Sequence, residues 1–406
     1  IVFLEAAHAA TALIGRPVCF FYSVLHIVHL LLRVRLCKCT KEKKKTKCFL
    51  IFVRFQILNM EKESQGFSIW KILLPTFIGI GVIIYMLSRE FDMSDLKQIT
   101  ITEHTVFWIC IAFCFMLGRD IGFTIRYRYL TEKQLSWIQC IKVTLLAEFG
   151  SAITPSVVGG STMAVVFLTK EKIPVGRSTA MVFVTLLLDE MYFVVTFPIL
   201  LLLIPFDTLF SDHSALGNGV LALFAVAYLI KMVLCTLLII GLFFRPQAIR
   251  WLIIKFFRLP FLRRWHKSAV KAGDDLVISS REIRGKGFSF WWPLILATIL
   301  SWGSRYLVVN AIFMAFFTVH DNLLIFARQF VMWIMMVVSP TPGGSGFSEF
   351  IFKEYLSEFI PLVGVVPLMI LLWRLLTYYN YLLVGALIVP RWVKKSFGKQ
   401  QEKEEN

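Results

Sequence analysis

The sequence predicts an all-α fold, a polytopic transmembrane helix bundle of about 8 spans plus two short re-entrant or half-helices in an inverted repeat. Three observations carry this expectation. Hydrophobic residues make up 57% of the 406 residues and charged ones 17%, against about 45–50% apolar and about 25% charged in soluble domains. The apolar stretches run for about 20 residues, the length that crosses a hydrocarbon core of about 30 Å as a helix, whereas barrel strands alternate over about 10. Two Pro/Gly-rich segments then interrupt apolar stretches in related ways. A soluble enzyme, a disordered chain and a disulfide scaffold are excluded.

The first 59 residues stand apart. They hold ten basic residues against Glu5 and Glu42, and the first methionine is Met60. Residues 1–59 are expected to be an N-terminal extension foreign to the native protein, such as translated upstream sequence. The rival reading is an extra hydrophobic segment followed by a lipid-binding polybasic run. Residues 60–392 are expected to form the transmembrane domain, with a basic cytoplasmic loop at 245–287 and a polar cytoplasmic tail at 393–406.

Within that domain the predicted spans are Ile69–Ser88, His104–Phe123, Leu135–Ile153, Ser178–Pro205, Asn218–Phe244, Phe288–Phe317, Asn322–Ser339 and Ile360–Val389. Pro155–Leu168 and Pro342–Tyr355 are apolar but reach only about 21 Å as helices, too short to span. Loop charge sets the orientation. The 118–135 loop, with Arg119, Arg126, Arg128 and Lys133, and the 245–287 loop are basic and read as cytoplasmic by the positive-inside rule. The N-terminus after Met60 and the C-terminus then lie inside. For Lys170–Arg177 also to lie inside, the two long–short pairs must enter the membrane from opposite faces. That is an inverted-topology repeat, a recurrent plan of transporters.

The two short segments match each other. Thr154-Pro155-Ser156 corresponds to Ser339-Pro340-Thr341, and Gly159-Gly160-Ser161 to Gly343-Gly344-Ser345, which lie beside Pro342 and Gly346. Proline breaks the incoming helix and paired glycines allow a tight turn. The next helix then opens with free N–H groups and a partial positive charge. Two such turns facing each other near the midplane are expected to bind an anionic group such as phosphate.

Charges inside spans are costly and are functional candidates by default. Asp189 and Glu190, Lys231, Arg305 and Arg374 fall near span centres. The three cations suit a lipid phosphate. Asp189 and Glu190 point about 100° apart on a helix and are not expected to share one narrow cleft; one pairs with a cation while the other titrates. Glu349 is expected to meet the amino end of a headgroup or to carry a coupling proton, and Glu148 is its counterpart before the first motif. Arg328, near a span end, is expected to cap or snorkel. The competing reading makes all of these structural ion pairs. Cys110 and Cys114, four residues apart, read as apolar packers rather than a metal pair.

Ser339–Glu349, reading SPTPGGSGFSE, resembles the PGGxGxxE signature of the lysylphosphatidylglycerol synthase/flippase transmembrane-domain family, the MprF-type membrane region. TPSVVGG and Arg126-Tyr127-Arg128-Tyr129-Leu130 fit the same family, over roughly residues 65–392. The resemblance implies a flippase-like protein that moves a polar or aminoacylated phospholipid between leaflets. Full synthases of that family add a soluble aminoacyl-transferring domain, which is not expected here, so no enzymatic activity is expected. The partner implied is a membrane phospholipid with an anionic or aminoacylated headgroup. A homo-oligomer is compatible with the sequence; no nucleic acid, metal or cofactor is expected. The expected location is the bacterial inner membrane. The alternative is a membrane-embedded enzyme or an accessory subunit of an envelope lipid or glycolipid pathway. Against an enzyme, no HExxH or GxSxG occurs, and no Walker motif indicates ATP hydrolysis.

Overall fold

The computed structural model describes residues 100–154, 158–210, 217–257, 266–339, 341–385 and 387–388. The N-terminal extension, the Ile69–Ser88 span, Pro155, Pro340 and the polar tail lie outside the described residues. Among those described, helices α1 (Glu103–Leu130), α2 (Trp137–Ile153), α3 (Val158–Lys170), α4 (Val175–Leu203) and α5 (Gly217–Ile239) follow in order. Next come α6 (Pro246–Phe257), α7 (His266–Arg284), α8 (Phe288–Phe316), α9 (Asn322–Met335), α10 (Phe347–Leu356) and α11 (Val366–Arg374). Two wider π-turns, Ile240–Phe244 and Leu375–Tyr379, prolong α5 and α11.

Among the described residues, five helical stretches are long and apolar enough to cross a membrane: Glu103–Leu130, Val175–Leu203, Gly219–Phe244, Phe288–Phe316 and Val363–Gly385. Their distribution of residues is inside out. Phe107, Phe113, Ile121, Val195 and Leu202 are exposed, whereas Arg119, Arg126, Glu190, Lys231, Glu349 and Arg374 are buried. Water would drive the first set inward, whereas lipid leaves it outside and forces the charged set to find partners within the bundle. The chain is a multi-pass helical membrane protein.

Two expected spans are corrected. Leu135–Ile153 and Asn322–Ser339 appear as helices of 17 and 14 residues, the second closed by a 3₁₀ turn at Met336–Val338. Each is one limb of a hairpin whose return limb is α3 or α10. The ends of these hairpins are fixed by polar contacts. At one end Glu132, in the turn before α2, pairs with Arg177 and with Lys286, and Gln139 donates to Glu171 at 2.7 Å. At the other end Arg328 donates to the Thr208 carbonyl at 2.8 Å and pairs with Glu358 at 2.7 Å, while Asn310 donates to the Asn322 carbonyl. Hairpin α2–α3 therefore starts and ends at the first face, and α9–α10 at the opposite one. Span, hairpin, span occurs twice (α1–α4 and α8–α11) with reversed direction, as the expected inverted repeat requires. Arg328 caps carbonyls, as expected of it.

The two leading spans, α1 and α8, lie against each other at the centre. A Cβ on Gly122 would run into Ser301 and the Ala297 carbonyl, and one on Gly118 would sit 3.1 Å from the Ser304 hydroxyl. Gly118 and Gly122 form a GxxxG face, which lets two helix backbones approach closely in lipid. Within the 245–287 segment, expected as a basic loop with a surface helix at Ile249–Phe257, the described residues form two amphipathic helices. α6 and α7 pack on each other through an Arg250–Asp274 bridge of 2.5 Å, and α7 packs on the start of α4 at Gly176.

Replacing Gly122 by Leu should destabilise the bundle by about 1–3 kcal/mol through overpacking. Gly303→Ala, where a Cβ meets nothing within 4 Å, should be neutral or mildly stabilising. Thermal inactivation of the two variants in detergent compares them directly.

Candidate functional site

Helix α1 carries charge deep into the bundle. Arg119 and Arg126 lie seven residues apart, two turns along one face, with Phe123 between them. Both guanidinium groups sit over that ring, 4.8 and 4.6 Å from its centroid. The expectation that Arg119 and Arg126 belong to a cytoplasmic loop is corrected: α1 runs on to Leu130, and the two side chains are 1% and 3% exposed. Of that basic group only Arg128 and Lys133 reach the turn, where Arg128 donates to the carbonyls of Lys133 and Leu135.

Each buried charge is met from another segment. Arg126 grips Asp189 with both terminal nitrogens, and the Trp302 indole donates to the same carboxylate at 2.8 Å. Lys231 donates to both oxygens of Glu190, at 3.2 and 3.1 Å, with its ammonium 4.0 Å from the Phe193 ring centre. Asp189 and Glu190 do diverge to different partners, but neither is left alone, and both line one broad cavity. Arg119 pairs with Glu148 and with Asp120, and Tyr381 donates to Asp120 at 2.8 and 2.9 Å.

The second motif is fastened by its own acid. Glu349, fully buried, accepts from Arg374 Nε at 2.7 Å, from the Gly346 amide at 2.7 Å and from the Ser348 hydroxyl at 2.9 Å. Arg374 also donates to Ser348 and to the Gly343 carbonyl. Glu349 and Arg374, expected at a headgroup, with a coupling proton as the other role for Glu349 and a structural ion pair as the competing reading, lie against each other and hold the turn shut. Gly343, Gly344 and Gly346 have φ of 58°, 68° and 86°, a region open to glycine at little cost. The expectation of bare amides is corrected at this turn. Gly344, Ser345 and Ser348 donate to the carbonyls of Thr341, Pro342 and Gly344, and Gly346 to Glu349. A buried amide left unpaired would cost too much, so the turn folds back on itself.

At the first motif the glycines serve a close approach. A Cβ on Gly159 would enter Thr154, and one on Gly160 would enter Ser151 and the Ala147 carbonyl, so α2 and α3 touch backbone to side chain. Thr154 donates to the Gly150 carbonyl at 2.6 Å. Tyr378 ties the two hairpins together: its hydroxyl donates to the Ala152 carbonyl at 3.1 Å and accepts from Ser345 at 3.4 Å.

Both motifs open on one cavity of about 250 Å³. Thr154, Gly160 and Ser161 line one wall and Ser339, Thr341, Gly343 and Gly344 another, with Glu148, Asp189, Lys231 and Arg374 around them. Pro342, Ser345, Gly346 and Glu349 stand behind the second wall. Arg305 completes the lining, its guanidinium 3.9 Å from the Trp333 ring centre and 5.9 Å from that of Trp302. No carboxylate among the described residues lies within 4 Å of it. Asp120, Arg119, Arg126 and Trp333 were missed by sequence reasoning. The i, i+7 spacing of the arginines and the neighbouring GxxxG were the available signals.

An inverted pair of broken hairpins around an ion-paired cavity defines a class of polytopic helical membrane proteins. The family described as the lysylphosphatidylglycerol synthase TM region matches residues 72–385, and the chain belongs to that family. A UPF0104 membrane protein of the archaeon Archaeoglobus fulgidus is 25% identical over 340 residues, covering 80% of this chain and 98% of the relative. No solved structure matches the chain.

Glu190→Gln leaves the Lys231 ammonium buried without its counter-charge and should cost about 3–5 kcal/mol, whereas Glu190→Gln with Lys231→Met should recover most of it. The half-lives of the folded proteins at a fixed temperature in detergent measure the difference.

Proposed function

We propose that this protein moves a polar phospholipid between leaflets, the headgroup passing through the central cavity while the acyl chains stay in the bilayer. One observation carries the reading. The two interrupted hairpins enter from opposite faces and meet at a charged cavity, in which Arg305 is the lining cation with no carboxylate partner among the described residues. Arginine suits a phosphodiester because its planar donors match two phosphate oxygens. Serine and threonine hydroxyls from both hairpins supply further hydrogen-bonding groups. Glu349, Arg374, Glu190 and Lys231 hold the walls in place. Membership of a lipid-handling membrane family supports the choice of substrate.

The reading assigns movement of the lipid and no covalent step. The face bearing Lys133, Lys172, Arg177 and Lys286 lies on the cytoplasmic side of the cytoplasmic membrane, by the positive-inside rule. Exposure of the cavity alternates as one hairpin-containing half rocks against the other. An aminoacylated headgroup fits the same frame, its phosphate on Arg305 and its ammonium toward Asp189 or Glu148.

Purified protein in vesicles containing fluorescent phosphatidylglycerol tests this. Dithionite should bleach the inner-leaflet label as well as the outer. Arg305→Ala should slow that phase about tenfold or more, the equivalent of losing a charged hydrogen bond of about 1.5–3 kcal/mol. Bleaching that stops at the outer leaflet in protein-containing vesicles overturns the proposal.

A further inference from the structure

Among the described residues, ten charged side chains cluster at and behind the cavity wall, five of each sign: Arg119, Arg126, Lys231, Arg305 and Arg374 against Asp120, Glu148, Asp189, Glu190 and Glu349. Three pairs close one to one, Arg126–Asp189, Lys231–Glu190 and Arg374–Glu349. The remainder does not. Arg119 stands between two carboxylates, Asp120 at 2.8 Å and Glu148, whereas Arg305 lies against two tryptophan rings with no carboxylate among the described residues within 4 Å.

The two irregularities are neighbours. Arg305 is within electrostatic reach of Arg119, Glu148, Tyr381 and Tyr306. With all ten groups ionised the cluster is neutral, Arg305 balancing at a distance the second carboxylate on Arg119. In a low-dielectric interior such a balance is worth far more than in water.

Resting on the reading of a phosphate held at Arg305, we propose that Asp120 and Glu148 form a proton site. An anionic phosphodiester bound at Arg305 is accompanied by uptake of one proton on this carboxylate pair. The anion takes over the Arg305 charge, leaving two carboxylates facing the single charge of Arg119. Two carboxylates sharing one cation hold a proton as a pair, one pushing up the proton affinity of the other.

The surroundings suit the exchange. The Asp120 and Glu148 side chains are 23% and 21% exposed, whereas Arg119 is buried, and Glu148 lines the cavity together with Arg119. Tyr381, on the segment beyond α11, contacts both Asp120 oxygens and accepts from Arg119 at 2.8 Å. A proton on Asp120 would reverse one of these bonds, with the tyrosine oxygen accepting. The charged and titratable groups around the pair are Arg119 and Tyr127 on α1, Tyr381 beyond α11 and Arg305 on α8, with Tyr306 beside Arg305. Lipid anion and proton would then cross together, the pair adding no net charge to the cavity.

Calorimetry of the detergent-solubilised full chain with dioctanoyl phosphatidylglycerol, in two buffers of different ionisation enthalpy, reads proton uptake directly. The expected result is about one proton per lipid, with the affinity weakening as pH rises, by up to about tenfold per unit. Asp120→Asn should flatten that slope, because one carboxylate then faces one arginine. A parallel titration with inorganic phosphate separates sources: uptake with both ligands assigns the site to phosphate in general, and uptake with the lipid alone to a headgroup. Infrared difference spectra of the wild-type protein need no variant, and a protonated-carboxyl band should grow on adding the lipid. Lipid binding with no net proton overturns this proposal and leaves the transport reading standing. Proton-linked binding without leaflet transfer in vesicles does the reverse, and absence of any anion binding ends both.

Discussion

A charge taken out of water must find its opposite within the same apolar volume, and the bundle is organised around that requirement. Arg119 and Arg126 on α1, Lys231 on α5 and Arg374 on α11 are each met by a carboxylate, and all four pairings bridge different helices. A helix that slid by one turn, about 5.4 Å, would strand a charge in hydrocarbon. The pairs thus fix the register of segments whose apolar faces, packed in a solvent no less apolar, would specify it poorly. Arg305 departs from this rule, held by tryptophan rings instead of an acid. In the proposed reading, that departure is what makes the cavity a binding site and not merely a polar core.

The interrupted hairpins obey the same logic for backbone groups. Irregular backbone at membrane depth survives only where protein or a cavity satisfies it. At Pro342–Gly346 the chain does this with its own carbonyls and with Glu349, so the turn is a rigid wall and not a nest of open donors. Glycine there is required by three successive uses of positive φ around Ser345. At Gly159 and Gly160 it is required by the nearness of α2. The same dipeptide answers two different constraints, and the recognisable likeness of the motifs conceals the difference.

The match to the lysylphosphatidylglycerol synthase TM region spans both repeats and both motifs. Its correspondence with nearly the whole of an archaeal membrane protein indicates that this helical unit recurs as a piece. Hydroxyl-bearing and charged side chains facing one cavity are consistent with a polar cargo.

The sequence by itself determined the class of fold, the approximate positions of the five long spans among the described residues, the two broken segments and their opposed entry. Each follows from local quantities: the length of an apolar run, the placement of proline and glycine, and the sign of charge between runs. It also marked Asp189, Glu190, Lys231, Arg305, Arg374 and Glu349 as exceptional, because an ionisable group in an apolar run is costly wherever it lies. Which of these are spent on one another was decided only by tertiary structure. Arg374 reaches Glu349 across 25 residues and Arg126 reaches Asp189 across 63, and pairing at such separations depends on helix packing that no local pattern encodes. The extent of α1 was hidden for the same reason. Arginines that read as a cytoplasmic loop stay helical and buried because carboxylates from α2 and α4 arrive to receive them.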